Sequence, residues 1–254
     1  MTSRGLTFGS VAATYERFRP GYPDELVDRV LGYAGRPVRT ALEIGAGTGK
    51  ATRVFAARGI EVTATDPDAA MLAELRRHAP LVTTVNHPLE HLPAGRRYDL
   101  VYAGASLHWT DPDGRWDRIA ALLEPDGVVA SFGTPLHLAD EGLDAAVTAA
   151  RRPFLEEDGI PSPDGTLATD FMQWPGTELL QSNAFTDVRQ VVIPRRLRLS
   201  ASDMVGYLST VSAYLLLSAE VRAAALAAIQ AVLPAEVDLV ADVWLHVARR
   251  RGDA

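Results

Sequence analysis

The chain has 254 residues, 47% of them hydrophobic and 7% aromatic, which suits one large α/β domain with insertions. No apolar run approaches the roughly 20 residues that a membrane span needs, and the absence of cysteine removes disulfides and thiolate metal sites and fits a cytoplasmic protein. The net charge is −7, with Lys50 the only lysine, so a phosphate backbone would be repelled unless a local basic patch attracted it. Two arginine clusters, Arg195, Arg196 and Arg198, then Arg249, Arg250 and Arg251, read as solvated charge. Neither nucleic acid nor membrane is expected as a partner.

In chain order, the opening MTSRGLTFGS lacks the apolar stretch of a secretory signal. Residues 39–44 (RTALEI) end at Gly45 and have the form of a buried strand. Residues 49–58 read as a helix, with Ala51, Val54 and Phe55 at helical spacing and Gly59 past its end. A second strand (61–65) and a second helix (67–78, with Met71, Leu72 and Leu75 inward) follow. Further strands are predicted at 81–85, 99–103 and 128–132, with a helix at 115–123 before the last. After Gly133 the alternation stops. Helices are predicted at 141–154, 202–216 and 219–233, and strands at 185–199, with a bend possible at Pro194, and 237–247.

Strands and helices alternating over short connections imply a doubly wound, mostly parallel sheet, which binds ligands off the carboxyl ends of its strands. The run Leu42-Glu43-Ile44-Gly45-Ala46-Gly47-Thr48-Gly49 stands at such an end. Its glycines let backbone approach a ligand closely, and the next helix offers unpaired N–H groups. Asp66 lies 21 residues past Gly45, directly after the second strand, where a carboxylate can accept both ribose hydroxyls of a nucleoside cofactor or else cap the next helix. A dinucleotide fingerprint counted from Gly45 would need glycine at position 50, which is Lys50.

The pattern E-x-G-x-G-x-G, with an acid after the next strand, resembles the class I S-adenosylmethionine (SAM)-dependent methyltransferases. Other segments resemble the same family. Tyr15 with Arg19-Pro20-Gly21-Tyr22-Pro23 is similar to an N-terminal segment lying over the cofactor. Leu89-Glu90-His91-Leu92-Pro93 resembles the stretch that meets adenine, with Pro88 and Leu89 where aspartate and alanine are commoner. Gly104-Ala105-Ser106-Leu107-His108-Trp109 is similar to a segment of the trans-aconitate-methyltransferase-like subgroup, and Glu124-Pro125-Asp126-Gly127 to the turn before the fifth strand.

The resemblance implies a Rossmann-like seven-stranded sheet, mostly parallel with its last strand antiparallel, plus a helical lid. It implies one methyltransferase domain over 1–254: core 36–133 and 185–250, N-terminal cover 8–35, lid insertions 134–184 and 200–234. SAM would meet Arg19, Glu43, Gly45, Ala46, Gly47, Asp66, Pro67, Met71, Leu89, Glu90 and Ala105, with S-adenosylhomocysteine as product. The acceptor would be a small molecule methylated on oxygen, nitrogen or carbon. His108, just past the fourth strand, is the leading candidate base, and Tyr15 the other candidate catalytic group. Phe154, Phe171, Met172, Trp174, Met204, Tyr207 and Tyr214 are available as an apolar acceptor lining or as the lid's own core. His87 and His91 are spaced i, i+4, but Pro88 and Pro93 oppose a helix there, so no metal is expected. An NAD-dependent oxidoreductase and a SAM-binding protein without turnover remain the alternatives.

Overall fold

Alternating strands and helices build the first half of the chain in the computed structural model, which describes residues 7–93, 95–167 and 169–252; residues 1–6 of the opening segment lie outside the described residues. Helices α1 (Ala12–Phe18) and α2 (Asp24–Ala34) precede β1 (Thr40–Ile44), α3 (Lys50–Ala56), β2 (Glu61–Thr65), α4 (Ala69–His78), β3 (Thr83–Val85), β4 (Tyr98–Gly104), α5 (Arg115–Ala121) and β5 (Leu123–Gly133). The second half adds β6 (His137–Leu138), α6 (Glu141–Arg151), α7 (Gly176–Gln181), β7 (Phe185–Ile193), β8 (Arg196–Ser200), α8 (Ala201–Leu208), α9 (Ser212–Leu215), α10 (Ala219–Val232), β9 (Glu236–Val240) and β10 (Val243–Arg250).

The larger sheet has seven strands in the order β3-β2-β1-β4-β5-β10-β7. Its first five strands pair in parallel, and β10 runs antiparallel to both β5 and β7. The expected Rossmann-like sheet with an antiparallel last strand is therefore present. β1 has β2 on one side and β4 on the other, so the winding reverses between β1 and β4. A crevice opens at their carboxyl ends.

Alternation along each strand sends successive side chains to opposite faces. Ala41, Leu100, Tyr102, Val128, Leu245 and Val247 pack with α2 and α3 on one face, and Leu42, Val101, Val129 and Ala248 with α5 and α7 on the other. Trp244 and His246 therefore share the α7 face.

A second sheet, ordered β6-β9-β8, supports the lid. Its core joins Met204, Leu208, Tyr214, Ile229, Val237 and Leu239, with Phe154 packed against it.

Three predicted elements divide. The strand at 185–199 becomes β7 and β8, and that at 237–247 becomes β9 and β10, each pair split between the two sheets. β7 pairs with β10 and β8 with β9, so one antiparallel ribbon bends from sheet to sheet at Pro194 and Asp242. Pro194 has no N–H for the ladder. The Asp242 carboxylate pins the corner by accepting from Arg195 N (2.9 Å) and Arg196 Nη1 (2.9 Å). The helix at 202–216 breaks into α8 and α9. The break leaves Arg19 bound to Thr210 within it, through Oγ1 (2.8 Å) and the carbonyl (2.9 Å).

The arginine clusters are occupied internally. Arg198 pairs with Asp238, Arg249 donates to the last carbonyls of α2, and Arg251 to Phe185 O. No helix among the described residues is long and apolar enough to cross a membrane.

Candidate active site

The glycine loop leaves β1 at Gly45, which has φ +64°, and an added Cβ there would lie 2.5 Å from Ser106 Cβ. Only glycine lets the two carboxyl-terminal turns, after β1 and after β4, approach this closely. Gly49 caps α3 at φ +85°, and a Cβ there would meet Leu75 of α4 at 2.7 Å. The third glycine thus serves helix packing.

Gly47 N donates to Asp66 Oδ2 and Asp68 N to Asp66 Oδ1, both at 2.8 Å. Asp66 therefore ties the loop to the end of β2, while Asp68 caps α4 by accepting from Ala70 N (2.9 Å). Burial pushes the Asp66 carboxyl up to about 6, even against these two N–H donors.

Glu43 is 1% exposed, and its Oε2 accepts from Thr52 Oγ1 (2.5 Å) and Tyr102 OH (3.0 Å). Burial pushes it up to about 8, so it stays mostly protonated at neutral pH until a cation stands against it.

The cleft around the loop is lined by Tyr15, Arg19, Glu43, Gly45, Ala46, Gly47, Asp66, Pro67, Met71, Leu89, Glu90 and Ala105, the residues named from sequence apart from His108. Sequence reasoning did not place Phe8, Trp109, Thr134 and Tyr207 here. Phe8 sits 5.9 Å from the Tyr15 ring and 6.0 Å from Trp109, closing one edge with aromatic faces. The Arg19 guanidinium lies over the Tyr207 ring at 4.6 Å, which with its two bonds to Thr210 fastens the N-terminal cover to the lid. Ala105 holds a left-handed backbone, φ +53°, with its N–H on Phe132 O at 2.7 Å. Strain of this kind gathers at ligand sites.

Three buried oxygens of the wall, Thr48 Oγ1, Glu90 Oε2 and Thr134 Oγ1, have no hydrogen-bond partner among the described residues. Buried polar atoms are normally satisfied, so these fit a polar ligand. Three cleft carboxyls, of Glu43, Asp66 and Glu90, and a glycine cradle suit a ligand that donates hydroxyls, as a nucleoside does, and also carries positive charge.

A second cavity of about 620 Å³ adjoins the cleft, sharing Ala105, Ser106 and Thr134 with it. His108 is placed here, together with His137, His246, Trp174 and Trp244. Among the described residues its lining contains no Asp, Glu, Lys or Arg. Behind it, the buried Arg115 donates to Glu178 Oε2 (3.2 Å), which also accepts from Trp116 Nε1 (2.9 Å), locking α5 to α7. Of the aromatic and Met residues named for the lid, Trp174 reaches this chamber and Tyr207 the cleft, while Phe154, Met204 and Tyr214 fill the lid core. Phe171 is 92% exposed. Among the described residues no group of three or more His, Cys, Asp or Glu could hold a metal ion.

Residues 42–129 match a family described as a methyltransferase domain. An uncharacterized methyltransferase of Mycobacterium tuberculosis is 39% identical over 123 residues, covering 48% of this chain and 49% of the relative. The malonyl-[acyl-carrier protein] O-methyltransferase of Enterobacter lignolyticus is 32% identical over 133 residues, covering 48% and 52%. The chain spans about half the length of these curated relatives. Across nearly the whole fold it is similar to a solved structure from Anaeromyxobacter dehalogenans assigned to the type II methyltransferases, with TM-score 0.66, 25% identity, and coverage of 93% of this chain and 100% of that one.

Proposed function

We propose that the chain is a class I SAM-dependent methyltransferase, a reading supported by its likeness to methyltransferases over residues 42–129 and in fold, and that it binds SAM in the cleft and transfers its methyl group to a small molecule held in the adjoining chamber. The observation that carries this reading is the juxtaposition itself. A charged cleft built on the glycine loop and Asp66 meets an uncharged chamber across Ala105, Ser106 and Thr134.

When bound, SAM supplies a methyl carbon on a sulfonium, already a strong electrophile. The chain's task is to bind, orient and exclude water. Asp66 would accept the ribose hydroxyls, and Leu89 and Glu90 would flank the adenine. Glu43, held by Thr52 and Tyr102, would face the cationic end. Gly45 and Ala105 would keep backbone at the contact between donor and acceptor. SAM would supply the methyl group with its sulfur as leaving group, so the acceptor would need only a lone pair at the shared wall. An O–H or N–H acceptor also sheds a proton. His108, beside the shared wall, stands to take it, and the Tyr15 phenol lines the cleft side. The uncharged chamber argues against a tricarboxylate acceptor of the trans-aconitate kind, whose carboxylates would meet no cationic side chain in this lining.

Calorimetric titration with SAM, S-adenosylhomocysteine and NAD tests the reading. Micromolar binding of the first two without NAD supports it, and binding of NAD alone overturns it. Replacing His108 by Ala should cut turnover while leaving SAM affinity intact. An unchanged rate removes His108 as the base.

A further inference from the structure

One ring in the chamber has its hydrogen-bonding role settled from behind. Gln173 N–H donates to Gln190 Oε1 at 2.7 Å, and Gln190 Nε2 donates to Phe171 O at 3.0 Å. A backbone donor at one end and a backbone acceptor at the other leave the amide only one orientation. Its oxygen also faces His246 Nε2 at 2.8 Å. An amide oxygen accepts only, so Nε2 carries the hydrogen.

His246 is 3% exposed, and burial pushes it down to about 4, so the ring is neutral at physiological pH. A neutral imidazole protonated at Nε2 keeps a lone pair on Nδ1. The Nε2–Cδ2 edge is turned away, to Gln190 and to Gly176, where an added Cβ would sit 2.8 Å from Cδ2. His246 lines the chamber, and its opposite edge, bearing Nδ1, has no hydrogen-bond donor among the described residues.

His246 stands opposite Ser131 of β5, and β5 separates β10 from β4. Two strand spacings, roughly 10 Å, therefore divide it from the end of β4, where the chamber meets the cleft. Trp174, Trp244 and Pro161 supply apolar walls between.

We infer that His246 reads the far end of the acceptor: the substrate is an uncharged, largely apolar molecule whose remote O–H or N–H donates to His246 Nδ1 while its other end receives the methyl group. The inference rests on the chamber being the acceptor site. Gln190 acts as a positioning residue, holding the ring in the accepting tautomer. An anionic acceptor finds no cation in this lining, and a methyl ether in place of the donor leaves the Nδ1 lone pair buried and unmatched.

The test uses the protein loaded with S-adenosylhomocysteine, whose own binding is measured first, so failure of the cofactor reading registers separately. Naphthol, methoxynaphthalene and naphthoate are then titrated by ligand-observed NMR. Naphthol should bind about tenfold or more tighter than the other two, and the preference should vanish in His246→Phe with S-adenosylhomocysteine affinity unchanged. A preference for naphthoate, a naphthol preference that survives His246→Phe, or binding of none of the three overturns the inference. A second measurement needs no chamber variant. Nitrogen spectra of isotope-labelled histidine should report His246 as the neutral Nε2–H tautomer in the wild type, and a mixture in Gln190→Leu. An Nδ1–H tautomer in the wild type refutes it.

Discussion

The cleft and the chamber share a wall yet are built on opposite plans. The cleft is charged and comes mostly from short contiguous stretches, 43–51, 66–71, 88–90 and 104–110, together with the N-terminal cover and with Thr134 and Tyr207 from the second half. The chamber is uncharged and draws on distant pieces, 105–108, 131–137, 160–163, 166, 173–175, 244 and 246. A shared cofactor can be met by a local motif whose carboxyls and N–H groups are set by one loop. An acceptor that differs from enzyme to enzyme is met by whatever the lid and the sheet's antiparallel edge bring together.

Separate substitutions should break this division cleanly. The largest effect is expected of Asp66→Ala, which removes the acceptor of Gly47 N and of the proposed ribose contacts. SAM affinity should fall about 100-fold or more, two charge-assisted bonds at ~1.5–3 kcal/mol each. Unchanged affinity in a variant that circular dichroism shows to be folded would sink that assignment.

Trp174→Ala should do the converse. Methyl transfer to the acceptor returned by a screen with labelled SAM should drop more than about tenfold, with SAM affinity held within about twofold. Equal losses of both would mean that the two regions are one site.

A pH series sharpens the contrast. With its carboxyl pushed up to about 6, free Asp66 takes up a proton as pH falls through that value. Ribose hydroxyls donate to the carboxylate, so binding must expel the proton, and Asp66 alone should make SAM bind about tenfold more weakly at pH 5 than at pH 7. Calorimetry should show Asp66→Asn reducing the slope by that share, while the proton that Glu43 sheds against the cation adds a part of its own.

The smallest effect belongs to the shared wall. Ala105→Gly relieves a left-handed alanine worth ~1–2 kcal/mol, partly offset by glycine's greater freedom in the unfolded chain. A rise in midpoint of a few degrees or less is expected in thermal denaturation, and a clear fall would mean that the methyl group carries packing.

The same contrast explains what could be read in advance. The strand–glycine–helix run, Asp66 and the alternation up to Gly133 are local signals; the structure puts the run and Asp66 at the carboxyl ends of β1 and β2 and turns the alternation into β1 to β5. His246 carried no such signal. In sequence it is a lone histidine in an apolar strand, and its meaning comes from Gln190, 56 residues away. The division of β7 from β8 and of β9 from β10 was equally hidden, since both halves of each run alternate as strands and only pairing across the ribbon shows the change of sheet. Asp66 was legible as a residue at the strand end beside the glycine loop, but its bond to Gly47 N was not. That contact depends on how closely the turn after β1 approaches the end of β2.

The ribbon bent at Pro194 and Asp242 makes scaffold and cover one continuous weave. The strands that floor the chamber with Trp244 and His246 run on, past one corner, into the strands that carry the lid helices. A tilt of the small sheet is consequently a twist of the large sheet's outer strands. Grafting a relative's lid would require cutting the ladder at two places, whereas the helices strung between β8 and β9 can be rewritten without touching it. Residues 160–163 and 166 line the chamber without pairing in the ribbon, so they can change while its ladder stays fixed.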